Sequence, residues 1–348
     1  MESRQINVAL CAFGMSGRVF HAPFIHAHPG LNLYGVLERS KNTAAAIYPN
    51  IKTFSTLDEL LADDNIDLVV VNTPSITHLE FATKALQHYK HVIVEKPFTA
   101  TTAEATELIN LAAAQHKLLS VFHNRRYDSD FLTVKKIIQN GSLGQIKEAS
   151  IFYDRFTPTL SPKPHKEAPT PAVGILYDLG SHLIDSALQL FGTPEAVFAD
   201  IMRMRDNTLV DDYFEILLYY PGCRVRLKAT FFAKEAQGFT IHGTKGSFIK
   251  SRSDTQEKDL QAGKPVTDID WGLEPASAYG TLHCEQNGDF TISQVASERG
   301  NYATYYEAIY QALQNGKPLP VTAEEGREVI RIIEAALQSS QEGKKVNL

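Results

Sequence analysis

Short apolar runs punctuate the first third of the chain, and helical patterns separate them. Residues 6–12, 31–37, 68–71, 91–94 and 118–122 are rich in Val, Leu and Ile and read as strands. They lack polar alternation, as strands buried on both faces do. Residues 15–28 read as a helix. Two later helices have readable starts, since Thr56 with Glu59 and Thr101 with Glu104 both have capping-box spacing. Strands alternating with helices predict βαβ units and a parallel sheet.

The rhythm changes after about residue 123. A helix over 131–139 ends at Gly141, a strand follows near 145–156, and then comes a loop carrying Pro158, Pro162, Pro164, Pro169 and Pro171. Residues 176–191 form an amphipathic helix closed by Gly192. Residues 196–205, 211–220, 224–233 and 239–250 are strand-like, punctuated by Gly222, Gly238, Gly243 and Gly246. Helices over about 303–314 and 323–339 follow. The expected architecture is an α/β Rossmann domain (1–122) plus an α+β domain (123–348) with a large, mostly antiparallel open sheet. The last helix is expected to pack back on the Rossmann domain.

Composition agrees with this reading. A length of 348 residues suits about two domains, and 43% hydrophobic with 21% charged residues suits a folded chain. The net charge of −6 disfavours nucleic acid as a partner. No apolar run reaches the roughly 18 residues that span a bilayer, so no membrane partner is expected. Cys11, Cys223 and Cys284 are scattered and form neither a disulfide framework nor a metal motif. The expected setting is a reducing cytoplasm.

The candidate chemistry starts at Ala12-Phe13-Gly14-Met15-Ser16-Gly17, between the first strand and the first helix. This is G-x-G-x-x-G with Ala first. It suits a dinucleotide diphosphate over a helix N-terminus, with Gly14 for close approach and Gly17 for helix–strand packing. An ordinary tight turn has the same composition. An acidic residue about 20 positions on meets the adenosine ribose in such folds. Glu38 stands there and favours NAD, whereas Arg39-Ser40-Lys41 suit a 2′-phosphate and favour NADP. The choice between NAD and NADP stays open. Glu95-Lys96-Pro97 and Thr73-Pro74 end two strands, where open parallel sheets bind ligands. Asp178, His182 and Asp185 share one helical face by spacing. A capping Asp, a core His and a surface Asp would share that spacing.

Together with Val71-Asn72-Thr73-Pro74, His123–Phe131, Tyr177–His182 and Asp270-Trp271-Gly272, these motifs resemble the Gfo/Idh/MocA family of nicotinamide-dependent sugar and polyol oxidoreductases. The resemblance covers essentially the whole chain. It implies hydride transfer between NAD or NADP and a secondary alcohol or ketone, with a cyclic polyol such as scyllo-inositol as first candidate. Another sugar is the alternative, and a non-catalytic dinucleotide sensor a more distant one. It implies no metal. On this resemblance Lys96 is expected to hold the reacting hydroxyl, His182 is the candidate general base, and Asp178 is expected to orient the substrate or His182. The resemblance also places Asn124 and Arg125 at the edge of the cofactor site, where Arg125 could instead form an interdomain salt bridge; Tyr153 and Arg155 share one strand face and are expected to line the substrate site, or else to be exposed strand residues. The loop over 157–173, with five prolines, departs from the family pattern of aromatic and basic residues with paired Gly. The open sheet is expected to make a homodimer or homotetramer.

Overall fold

The computed structural model describes residues 4–40, 42–235, 237–286 and 289–348. They group into two compact units. The first comprises 1–124, 256–271 and 301–327, and the second 125–255, 272–300 and 328–348. The first unit thus takes two later segments that a cut at 122/123 assigns elsewhere. The last helix is shared, its opening residues grouping with the first unit and its body with the second.

The first unit is built on six parallel strands: β1 (Ile6–Leu10), β2 (Leu31–Leu37), β3 (Lys52–Phe54), β4 (Leu68–Val71), β5 (His91–Glu95) and β6 (Leu119–Phe122). Their order is β3-β2-β1-β4-β5-β6, which is the doubly wound dinucleotide-binding arrangement. All four residues of β4 are buried, which explains a run of Leu and Val without polar interruption. The helices are α1 (Ala22–Ala27), α2 (Thr43–Ile47), α3 (Leu57–Leu61), α4 (His78–Gln87) and α5 (Thr102–Ala114). A π-helical turn, Gly17–His21, leads into α1. The capping box at Thr56 and Glu59 is complete. At α5, Thr101 accepts from Glu104 N, but the Glu104 carboxylate takes Ala100 N instead.

In the second unit, α6 (Ser129–Gln139) and α7 (Ser181–Phe191) pack on a nine-stranded sheet. Its strands are β7 (Ile146–Phe152), β8 (Ala196–Met202), β9 (Tyr213–Tyr220), β10 (Cys223–Thr230), β11 (Phe239–Gly243), β12 (Gly246–Lys250), β13 (Gly280–Gln286), β14 (Asp289–Val295) and β15 (Val346–Asn347). Only the β7–β10 pair is parallel. Register aligns Val197, Leu218, Val225, Ala149, Ile241 and Phe248 in one row across the sheet, each 0% exposed. The neighbouring row, on the opposite face, runs Phe198, Leu217, Arg226, Ser150, Thr240 and Ile249. One covered and one open face explain the alternation in β9 and β10. The stretch 239–250 is two strands, β11 and β12, because Thr244-Lys245 turns the chain. The strand expected to reach 156 stops at Phe152, with only an isolated bridge at Phe156.

Three helices complete the chain: α8 (Gln256–Gln261), α9 (Ala303–Asn315) and α10 (Ala323–Glu342). The segments of the first unit that come late in sequence contribute Trp271, which is 2% exposed and packs edge-on against Phe24 at 5.9 Å. Trp271 is thus a core residue of that unit.

Candidate active site

In the first unit the glycine loop follows β1 and passes straight into helix. The Asn72 side chain, one residue past β4, clasps Ala12 from both sides. Its Oδ1 accepts from Ala12 N at 3.0 Å, and its Nδ2 donates to Ala12 O at 2.8 Å. A Cβ on Gly17 would lie 2.3 Å from Ala12 O and 2.8 Å from Asn72 Nδ2. Gly17 is therefore required by the clasp. A Cβ on Gly14 would meet nothing within 4 Å. Gly14 faces open space, and the glycine there leaves room for a ligand rather than for protein. The first free N–H groups of the helix begin beside it. These residues fit a dinucleotide diphosphate. Phe13 is buried edge-on to Tyr48, and Met15 is exposed.

The turn after β5 is tied to this loop. The Ser16 hydroxyl donates to Glu95 Oε1, and Lys96 N donates to Glu95 Oε2 at 3.1 Å. Burial alone would raise the Glu95 pKa, but His21, Ser16 and the Lys96 charge together hold it below the usual value. Glu95 is therefore a buried, ionised clamp between the cofactor loop and Lys96. The Lys96–Pro97 bond is cis, and Lys96 is half-buried. His78 bridges the same region, with Nδ1 2.9 Å from Pro97 O and Nε2 3.0 Å from Thr73 O. Burial lowers its pKa, while the facing carbonyls and Glu95 pull the other way. Thr73 accepts from Thr77, Pro74 is exposed, and Asn124 is buried.

Glu38, at the end of β2, spends its carboxylate on the next helix. Oε1 takes the N–H and hydroxyl of Thr43, and Oε2 takes Ala44 N at 3.0 Å. Arg39 and Ser40 are exposed beside it, and Lys41 lies outside the described residues.

The second unit carries the other candidates. Asp178 lies in a π-helical turn, Leu176–Gly180, that feeds α7, and His182 is in the first turn of α7. Gly174 makes the approach possible, with φ +106 and a Cβ position 2.0 Å from Asp211 Oδ1. Asp211 in turn accepts Leu176 N at 2.8 Å. His182 is 5% exposed, whereas the Asp178 carboxylate is partly open and lies 3.5 Å from Lys166 Nζ. Lys166 belongs to the proline-rich loop. Arg205 secures that loop through Glu167 at 3.1 Å and Thr159 O at 3.1 Å. Asp185 forms a buried fork with Arg126, at 2.6 Å to Nη2 and 2.9 Å to Nε. Tyr153 is ringed by guanidinium groups: Arg125 at 5.0 Å, Arg155 at 5.3 Å and Arg252 at 4.6 Å from its centroid. Arg125 also bonds Asp128 at 3.2 Å.

Asn72 and the Ser16–Glu95 bond were not predicted from the sequence. The sequence signal was Asn72 itself, a polar residue directly after an all-apolar strand.

A doubly wound sheet with a glycine loop after its first strand and a lysine at a strand end is the arrangement of nicotinamide-dependent oxidoreductases. The chain belongs to the Gfo/Idh/MocA family. Residues 6–123 match the oxidoreductase family's NAD-binding Rossmann fold, and residues 135–348 match its C-terminal alpha/beta domain. It is 39% identical to the scyllo-inositol 2-dehydrogenase (NADP(+)) IolW of Bacillus subtilis, over 99% of this chain and 96% of that protein. Among solved structures, yvaA of Bacillus subtilis superposes with a TM-score of 0.97 at 39% identity, covering 100% of this chain and 99% of that one. A Bacteroides fragilis chain gives 0.91 at 44% identity, covering 99% and 100%. The chain is an NAD(P)-dependent oxidoreductase acting on CH–OH groups of a sugar or polyol.

Proposed function

We propose that the chain interconverts a ring alcohol and a ring ketone of a cyclic polyol, scyllo-inositol first, with NADP as the preferred dinucleotide. The observation that carries the reading is the Glu95 clamp, which ties Lys96 to the dinucleotide loop. Its likeness to IolW along nearly the whole chain supports the substrate. The engagement of Glu38 with Thr43 and Ala44, beside exposed Arg39 and Ser40, supports NADP. A 2′-phosphate suits a guanidinium and a hydroxyl.

When bound, the nicotinamide supplies the hydride acceptor or donor. Lys96 holds the substrate hydroxyl, and its cation favours alkoxide character. His182 takes the hydroxyl proton, since imidazole exchanges protons near neutral pH. Asp178 orients the substrate or His182, and Tyr153 with Arg155 and Arg125 lines the substrate side. The open sheet face, carrying Phe198, Ile249, Phe290 and Ile292 at 40 to 72% exposure, supports a homodimer or homotetramer through that sheet.

The test incubates purified protein with NAD⁺ or NADP⁺ and a panel of inositols and aldoses, following reduced-nicotinamide absorbance. Turnover of scyllo-inositol with NADP⁺ is expected. Turnover of an aldose alone would move the substrate to another sugar. Dinucleotide binding without any turnover would favour a sensor.

A further inference from the structure

His21 lies at the end of the π-helical turn and is 0% exposed. Its Nε2 stands 2.8 Å from Glu95 Oε1, and its Nδ1 stands 2.5 Å from the Tyr306 hydroxyl. Tyr306, on α9, is also wholly buried. Burial, then Tyr305 and Glu95, raise its pKa well above the usual value, so it remains an O–H donor. The two ring nitrogens are thus held between the Tyr306 hydroxyl and the Glu95 carboxylate, with Nε2 facing the carboxylate. The Phe122 ring packs against the imidazole, tilted at 46° with its centroid 4.4 Å away. Glu95 then accepts from three donors, with His21 and Ser16 on one oxygen and Lys96 N on the other. A chain of hydrogen bonds runs from α9 in the core to the two segments that meet the cofactor and the substrate.

We infer that His21 is a positioning residue for the reaction: braced by Tyr306, it orients Glu95 and so fixes the cofactor loop at Ser16 and the main chain at Lys96 together. The inference rests on Lys96 acting on the substrate, as proposed above. Its consequence is coupling. Loosening Glu95 weakens dinucleotide binding and turnover together, because one carboxylate serves both segments. A His that only filled the core would affect stability and leave those two quantities unlinked.

Two isosteric variants separate these roles. His21→Gln sets an amide nitrogen near the Nε2 position and keeps a donor for Glu95. His21→Asn sets one near Nδ1, keeps the Tyr306 contact and leaves Glu95 without that donor. Three quantities are measured: melting temperature, NADPH dissociation constant by fluorescence, and kcat with saturating polyol. For His21→Asn the expected result is at least about a tenfold loss in both affinity and kcat, with His21→Gln within about threefold of wild type. Equal behaviour of the two variants, or an Asn variant with wild-type affinity and kcat, would overturn the inference. Should both fail to fold, Tyr306→Phe removes only the bracing hydroxyl. A twofold to tenfold loss in kcat and affinity at an unchanged melting temperature is then expected, and wild-type values for both would overturn it. A wild-type protein that turns over no polyol refutes the proposed function instead, and the NADPH constants still test the Ser16 arm.

Discussion

Gly14 and Gly17 stand three residues apart in one loop, yet the structure gives them different reasons to be glycine. Gly17→Ala puts a carbon 2.3 Å from the Ala12 carbonyl oxygen, where ordinary contact begins at 3.4 Å. About 1 Å of displacement must then be absorbed by backbone that Asn72 clasps, so folding stability falls by roughly 1–3 kcal/mol. Gly14→Ala meets no protein atom within 4 Å and no left-handed φ. Its effect on stability is expected to be neutral, or a gain of about 0.4–1 kcal/mol from a stiffer unfolded chain. The new methyl does occupy the space into which a diphosphate approaches. Losing one charge-assisted hydrogen bond there costs about 1.5–3 kcal/mol, or roughly 10- to 150-fold in affinity. The assay pairs thermal unfolding with NADPH titration. Gly14→Ala should melt within about 3 °C of wild type and bind much more weakly, whereas Gly17→Ala should lose both. Wild-type affinity in a folded Gly14→Ala variant would refute the placement of the dinucleotide over this loop.

Other outcomes follow from the same geometry. Asp185→Asn breaks the buried fork to Arg126 and should cost about 3–5 kcal/mol in denaturant unfolding, because a guanidinium is left buried without its counter-charge. Arg39→Ala should raise the KM for NADP⁺ at least tenfold and leave that for NAD⁺ nearly unchanged, as steady-state kinetics with both dinucleotides will show. His91 has its pKa pushed down from 6.5 to about 4 by burial, then by Lys117, and its Nδ1 accepts Leu118 N at 3.0 Å. The unfolded chain therefore binds the proton first, so stability is complete above about pH 6.5 and falls by up to roughly 3 kcal/mol towards pH 4. His91→Gln should flatten that decline in urea titrations across the window. In sedimentation at micromolar protein the chain should run as a dimer or tetramer, and a strictly monomeric mass would contradict assembly through the open sheet.

The sequence announced the parallel strands because strands covered on both faces leave uninterrupted apolar runs, as β4 does. It also announced β9 and β10, whose alternation records one open face. It did not announce β14, which is exposed along most of its length, including Phe290 and Ile292, or β3, which has only three residues. In the candidate site, the glycine loop and the Glu95–Pro97 turn were legible because each is a local motif. The clasp of Asn72 on Ala12 spans 60 positions, and the bond from His21 to Tyr306 spans 285. No local spacing rule reaches across such separations. Helical spacing puts Asp185 on one face with Asp178 and His182, but it does not reveal the buried bond from the Arg126 side chain, 59 positions earlier.

Hydride transfer itself is the most direct test. scyllo-Inositol deuterated at its ring carbons is incubated with NADP⁺ and the protein, and the reduced dinucleotide is analysed by mass spectrometry. The account predicts NADPH carrying one deuterium from the polyol, with formation abolished in Lys96→Ala. Tight NADP⁺ binding without labelled NADPH from any polyol or sugar, or undiminished labelling in Lys96→Ala, would contradict it.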